Sequence, residues 1–299
     1  MKGIILAGGS GTRLYPSTQV ISKQLLPIYN KPMIYYPLSV LMLAGIQDIL
    51  LISTPDDIPL FQKLLQDGSH VGLNISYATQ ESPKGIAEAL IIGESFLNNE
   101  PCMLILGDNI FYGHDLPNII EKGISFNPGV TLFAHMVSDP ARYGVLELGK
   151  NNEILSLEEK PSHPKSNLAA TGLYIYDNQA SQFAKELKPS DRGELEITDL
   201  NKLYMEKGIA RAETLGRGFA WLDTGTHASL LQASQFVETL ESRQGTPISC
   251  IEEIAYYKGF ISSEKLEILS KPYKNTPYGQ YLNSIITHNK LEEECTPLI

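Results

Sequence analysis

The sequence is short of several things, and each shortage removes a class of protein. Its 299 residues hold three cysteines, Cys102, Cys250 and Cys295. They are too few and too scattered for a disulfide framework or a zinc site, so reduced thiols are expected. No run approaches the roughly 18 apolar residues of a membrane span. The opening residues carry one lysine and a short apolar run that stops at glycines, which lacks the h-region and cleavage site of a secretory signal. A cytoplasmic location is the expectation. Cations are the minority charge, 24 Lys and Arg against 34 Asp and Glu, for a formal net charge of -10. A broad nucleic-acid surface needs the opposite balance. Small anions, held by local positive charge, remain suitable partners. No internal repeat, hexapeptide β-helix or sharp linker interrupts the chain. No Gly-x-Ser-x-Gly elbow is found, and the six histidines show no metal spacing.

What is present reads as α/β. Apolar runs at Gly3–Ala7, Ile49–Ile52, Ile75–Ala78 and Met103–Leu106 have the length of buried strands. Helical stretches alternate with them at Met33–Gly45, Pro59–Leu65 and Gly85–Leu97. This alternation predicts a parallel sheet with helices on both faces. Closely spaced strands follow at Val130–Met136, Gly144–Leu148, Ile154–Glu158 and Thr171–Tyr176, which implies an antiparallel or mixed extension. Helices are expected at Gln179–Leu187 and Glu196–Lys207, and strands at Arg211–Leu215 and Ala220–Leu222. Residues 1–226 are thus expected to form a catalytic unit and residues 227–299 a helical segment packed on it. In that segment Leu230, Ala233, Val237 and Leu240 form a helical stripe. Ser263–Leu269 and Tyr278–Ile286 are further helix candidates, and Leu291–Cys295 reads as a frayed acidic tail.

Ligands of such sheets bind at the carboxyl ends of the strands. Gly8, Gln80 and Asp108 all stand just past predicted strand ends. The first loop, Gly8-Gly9-Ser10-Gly11-Thr12-Arg13, is followed by Lys23 in Ser-Lys-Gln-Leu-Leu-Pro. Successive N–H groups of a glycine turn make an anion-binding concavity, and Arg13 and Lys23 add charge to it. The pattern is neither a P-loop nor the dinucleotide fingerprint, whose third small residue falls on Leu14. The glycines alone fit a ligand-free strand-to-helix turn equally well. Asp108 and Asp223 each follow an apolar run, and either alone fits a turn or a cap. Together, near a phosphate cradle, they suit Mg²⁺, which takes one or two carboxylates plus phosphate oxygens and waters.

The blocks Leu6-Ala7-Gly8-Gly9-Ser10-Gly11-Thr12-Arg13-Leu14 and Ser22-Lys23-Gln24-Leu25-Leu26-Pro27 resemble the signature of the sugar-1-phosphate nucleotidyltransferases. Their wording is similar to that of the bacterial glucose-1-phosphate thymidylyltransferase branch, and the likeness recurs along nearly the whole chain. It implies a Rossmann-like nucleotidyltransferase fold, a mixed, mostly parallel sheet flanked by helices with a C-terminal helical extension. It implies Arg13, Lys23 and Lys160 as catalytic cations, with Gly8, Gly11, Thr12 and Gln24 on the triphosphate side. Asp108 in Leu106-Gly107-Asp108-Asn109 and Asp223 in Trp221-Leu222-Asp223-Thr224-Gly225-Thr226 match the metal motifs. Glu159 is assigned to sugar hydroxyls and Lys160 to the sugar phosphate, with Asn109, Tyr143, Gly144, Ala170 and Thr171 around the sugar. Ala170 stands where Val is frequent, which loosens that pocket. Gln80 and Gly85 are the nucleobase candidates, since a Gln amide can both accept from and donate to thymine.

The reaction implied is Mg²⁺-dependent transfer of dTMP from dTTP to glucose 1-phosphate, giving dTDP-glucose and pyrophosphate, the first step towards dTDP-rhamnose and cell-surface polysaccharide. A phosphate monoester has its second pKa near 6, so the nucleophile is an anion at about pH 7 and needs no general base. The resemblance also implies a homotetramer and a regulatory nucleotide site near Tyr112, Gly113, His114, Arg217 and Glu253. There Ile251 replaces an expected Pro and Tyr257 an expected Arg, so weakened dTDP-rhamnose feedback is expected. The alternatives are a synthase of UDP-sugars or other nucleotide sugars, and a catalytically silent nucleotide-binding regulator. A dehydrogenase is opposed by the failed fingerprint.

Overall fold

The computed structural model describes residues 1–9, 11–126, 128–150 and 152–295, with side chains to residue 287. Ser10 of the glycine loop and the side chain of Cys295 lie outside the described residues. The strands are β1 (Lys2–Leu6), β2 (Pro27–Ile28), β3 (Lys31–Pro32), β4 (Asp48–Ser53), β5 (Asn74–Thr79), β6 (Cys102–Leu106), β7 (Asn109–Tyr112), β8 (Val130–Met136), β9 (Gly144–Leu148), β10 (Ile154–Glu159), β11 (Leu168–Tyr176), β12 (Ala210–Leu215) and β13 (Ala220–Asp223). The helices are α1 (Tyr35–Leu43), α2 (Ile58–Leu65), α3 (Glu88–Ile92), α4 (Glu94–Leu97), α5 (Leu116–Ile124), α6 (Ala180–Glu186), α7 (Ile197–Glu206), α8 (His227–Gln244), α9 (Ile251–Tyr257), α10 (Ser263–Ser270) and α11 (Pro277–Cys295).

The main sheet runs β10-β9-β11-β6-β1-β4-β5, with β8 beside β11 and β12 beside β8. Strands β6, β1, β4 and β5 are mutually parallel, as the alternation of strand and helix predicts. Strand β11 then pairs antiparallel with β6, β8 and β9, which is the mixed extension expected from the closely spaced runs. The parallel strands are apolar at nearly every position because helices cover both faces. Successive side chains point to opposite faces. Ile5, Ile49, Leu51, Met103 and Ile105 join one core with α1, α2, α5 and α9. Ile4, Leu50, Ile52 and Leu104 join the other with α3, α6 and α7.

Three expectations need correction. The stretch Gly85–Leu97 is two short helices rather than one. They meet at Gly93, where a Cβ would stand 2.8 Å from Ile4 Cδ1, so the glycine admits close helix-to-sheet packing and breaks the helix there. Asn109–Tyr112, to which no element was assigned, forms β7, paired antiparallel with β13. The backbone at Leu291–Cys295, read as a frayed tail, continues α11.

The C-terminal helices grip the first part of the chain. Helix α8 begins at a Thr226–Ser229 capping box and stops at Gly245, whose φ of 69° is left-handed. Its stripe packs Ala233 and Val237 on Ile28, Met33, Tyr36 and Ile110. On the same helix Glu241 accepts a 2.7 Å bond from the buried Lys31 Nζ of β3. Burial lowers the Lys31 pKa, and the Glu241 carboxylate opposes that shift. A pair this buried stabilises little relative to an apolar pair, but losing one partner leaves a bare charge. It therefore ties the β2–β3 hairpin to α8.

Candidate active site

The glycine loop is held at its root before it reaches any ligand. Ala7 N donates to Ile52 O, and Ser53 Oγ donates to Ala7 O at 2.8 Å. Past them Gly9 and Gly11 have φ of 102° and 59°, which disfavour any side chain. Gly11 starts a 3-10 turn, Thr12–Leu14, that presents Arg13. Thr18 Oγ1 fastens this turn to Gly11 O at 2.7 Å. A second 3-10 turn, Lys23–Leu25, presents Lys23. Behind it Ile34 N bonds Gln24 O and Met33 N bonds Leu26 O, so the β2–β3 hairpin backs this turn.

The two aspartates are brought together by backbone pairing. In the β7–β13 ladder Asp223 faces Asn109. Thr224 Oγ1 donates to Asp108 O at 2.8 Å, so the segment carrying Asp223 clasps the segment carrying Asp108. Lys23 Nζ lies 2.6 Å from Asp108 Oδ2, and Asn109 Nδ2 donates to Asp108 Oδ1 at 2.9 Å. Asn109 Oδ1 in turn accepts from Trp221 Nε1 at 2.6 Å and from Gly172 N at 3.1 Å. Asn109 thus spends most of its amide on protein partners and orients Asp108. Burial raises the Asp223 pKa, and the Asp108 charge adds to the rise. Lys23, Arg142 and Arg13 pull it back. Two acids facing one another with burial against them favour a bound cation. Among the described residues no group of three or more His, Cys, Asp or Glu side chains is assembled. The donor set therefore fits a hard cation that completes its shell with phosphate oxygens and water, rather than an all-protein cage.

Two cavities meet at this pair. The first, of about 340 Å³, is lined by Gly8, Gly9, Gly11, Thr12, Arg13, Lys23 and Gln24 with Pro83 and Gly225. The second, of about 300 Å³, is lined by Asn109, Tyr143, Gly144, Glu159, Lys160, Ala170 and Thr171 among others. Arg13, Asp108, Asp223 and Glu194 line both. The predicted triphosphate residues and the predicted sugar residues therefore occupy separate compartments with the aspartates on their shared wall.

In the second compartment the register of β11 shifts between Ala170 and Tyr174. Such irregularities re-aim a strand, and here Ala170, Thr171 and Gly172 line the cavity. A Cβ on Gly172 would be 2.7 Å from Asn109 Oδ1, so only glycine fits. Glu159 is fixed by Thr198 Oγ1, which donates to its Oε2 at 2.7 Å. Lys160 has a φ of 42° and is held by its N–H on Tyr143 O at 2.9 Å. Its Nζ lies 3.2 Å from Glu159 Oε1.

Sequence reasoning passed over several lining residues. Arg192, Glu194 and Glu196 come from the loop before α7, and Arg142, Thr198 and Trp221 complete the wall. The dense charge of Asp191-Arg192-Gly193-Glu194-Leu195-Glu196 was the available signal. Gln80 and Gly85 line neither cavity. Gln80 is 5% exposed. Gly85, at φ 101°, packs its Cα face on the Leu195 backbone.

The suggested regulatory residues are not gathered in one place. Tyr112 and Gly113 line a third cavity, of about 330 Å³, with Leu43, Phe111, Gln244 and Ile254. Among the described residues no Lys or Arg lines it. His114 and Arg217 are exposed, and Glu253 accepts from Tyr281 Oη at 2.6 Å. Ile251 is buried in the core and Tyr257 is exposed.

Residues 2–239 match the model of a family described as nucleotidyl transferase. A Neisseria meningitidis protein named glucose-1-phosphate thymidylyltransferase is 58% identical over 94% of this chain and 98% of its own. A Bacillus anthracis crystal structure, provisionally named a glucose-1-phosphate thymidylyltransferase and holding sucrose, superposes with a TM-score of 0.74. It is 42% identical and covers 79% of this chain and 94% of its own. A UDP-glucose pyrophosphorylase complexed with UDP-glucose reaches a TM-score of 0.71 at 26% identity, over 80% of this chain and 98% of that one.

Proposed function

Because the chain belongs to the nucleotidyl transferase family, we propose that it transfers dTMP from dTTP to glucose 1-phosphate, forming dTDP-glucose and pyrophosphate. The observation that carries this reading is the pair of cavities sharing Arg13, Asp108 and Asp223. One offers glycine N–H groups and two cations to a triphosphate. The other offers a fixed carboxylate, Glu159, to sugar hydroxyls, with Lys160 beside it for the sugar phosphate. The name of the relative sharing 58% of its residues supports the choice of substrates.

In this reading Lys160 holds the attacking phosphate, whose own charge makes a general base unnecessary. Arg13 and Lys23 hold the triphosphate and stabilise the departing pyrophosphate. Asn109 and Thr224 keep Asp108 in place. Asp108 and Asp223 would hold Mg²⁺, which supplies charge neutralisation to phosphoryl oxygens when bound. Catalysis then consists of positioning two anions and stabilising charge.

We assign residues 1–226 to catalysis and residues 227–299 to a helical segment packed on it. We also assign a homotetrameric, cytoplasmic protein supplying dTDP-glucose for dTDP-rhamnose and cell-surface polysaccharide. At the third cavity, with no cation among its described lining, we expect weak dTDP-rhamnose feedback.

The test is pyrophosphate release with four sugar phosphates against dTTP, UTP, ATP and GTP. The expected result is highest kcat/KM for glucose 1-phosphate with dTTP, abolished by chelation and restored by Mg²⁺. A UTP preference would support the UDP-sugar reading, which the likeness to UDP-glucose pyrophosphorylase favours. Saturable binding without turnover would leave a regulator.

A further inference from the structure

Gln80 is buried behind the glycine loop, and its amide has neighbours of one kind on one side. Its Nε2 donates to Glu88 Oε2 at 2.7 Å and to Gly85 O at 3.2 Å. A backbone carbonyl only accepts, and an ionised carboxylate only accepts. An amide oxygen turned that way would face two acceptors, so the chemistry of the partners fixes the orientation. The oxygen is left on the other side. A Cβ built on Gly8 would stand 2.8 Å from Gln80 Oε1, so this oxygen lies against the loop that lines the first cavity. Among the described residues no donor reaches it.

We propose that Glu88 is a specificity-determining positioning residue, which locks the Gln80 amide so that the nucleotide site presents an acceptor to the base. The inference rests on the proposed use of dTTP. Thymine and uracil carry an N–H at N3 and satisfy that acceptor. Cytosine carries a lone pair at N3 and leaves two acceptors opposed. Glu88 touches no substrate in this scheme. It acts by removing the flipped amide, in which Gln80 would offer N–H groups and take cytosine.

The test compares dTTP with dCTP at saturating glucose 1-phosphate for the wild type, E88A and E88Q. Thermal melting checks that each variant folds, and E88S is a second truncation should E88A not fold. The wild type is expected to prefer dTTP. The truncated variants should lose about tenfold of that preference, one hydrogen bond's worth. E88Q, whose amide oxygen can accept from Gln80 Nε2, should keep it. General damage would lower kcat/KM for both nucleotides together and leave their ratio unchanged. A truncated variant that folds and keeps the wild-type ratio overturns the role of Glu88, as does an E88Q that loses the ratio as fully as E88A. A wild type that turns over neither nucleotide overturns the proposed reaction as well.

Discussion

Lys23 Nζ and Asp108 Oδ2 are 2.6 Å apart, with the two side chains only 11% and 26% exposed. A cation assigned to one substrate and a carboxylate assigned to the metal thus neutralise each other across the wall between the cavities. Each is pre-oriented by the other, and an incoming triphosphate and cation exchange partners with them rather than ordering them from solution.

Asp108→Asn tests that wall. It removes the charge but leaves the amide able to accept from Lys23. Turnover should fall by about 10²-fold or more, the scale of losing one electrostatic contact to a transition state. The denaturation midpoint should move little. Near-normal activity at ordinary Mg²⁺ would remove the metal role.

Lys160→Ala separates the two substrates. KM for glucose 1-phosphate should rise about 10- to 100-fold, the cost of a charged hydrogen bond, while calorimetry should find dTTP binding intact. The reverse pattern, with dTTP affinity lost and sugar-phosphate affinity kept, would exchange the two assignments.

Much of this site could be read before its geometry was known, because it sits where strands end. Gly8 follows β1 and Asp108 follows β6, and a buried parallel strand announces itself as an apolar run. The pairing of Asp108 with Asp223 was legible only through family likeness. It depends on the β7–β13 ladder, and β7 has four residues and opens with a polar Asn109, too little for periodicity to register. Arg192 and Glu194 were missed for another reason. They lie on a loop, and a charged loop looks the same in sequence whether it faces solvent or a cavity. Gln80 shows the limit of reading by residue type. Its amide can donate or accept, and only the neighbours decide which.

Gly85→Ala should cost stability as well as activity. The added Cβ would run into the backbone O and N of Leu195, at a φ of 101° that already disfavours alanine. The combined strain and overpacking amount to about 2–5 kcal/mol. If the loop yields instead, Arg192 and Glu194 shift with it, and KM for the sugar phosphate should rise. An alanine variant with unchanged melting and kinetics would contradict this packing.

Glu252 gives a dependence on pH. Burial raises its pKa above the ordinary 4.5, and bonds from Tyr278 and Cys250 oppose the rise. Between 4.5 and the raised folded value the native state binds more protons than the unfolded chain. Its contribution to stability therefore grows as pH falls through the folded pKa and shrinks as pH rises. Glu252→Gln, which keeps an acceptor for Tyr278, should raise the melting temperature at pH 7. That gain should narrow as pH approaches 4.5. Equal gains at both pH values would exclude the buried charge as the cause.

The chain has a single tryptophan, and it is Trp221, in the wall of the second cavity. Its indole N–H is committed to Asn109, and its ring sits 5.0 Å from that of Tyr143. Intrinsic fluorescence of the whole molecule is therefore the signal of one site. A sugar phosphate entering that cavity changes the surroundings of the only indole, so its binding can be titrated without a label. The same emission reports a rearranged Asn109 in any variant before a substrate is added.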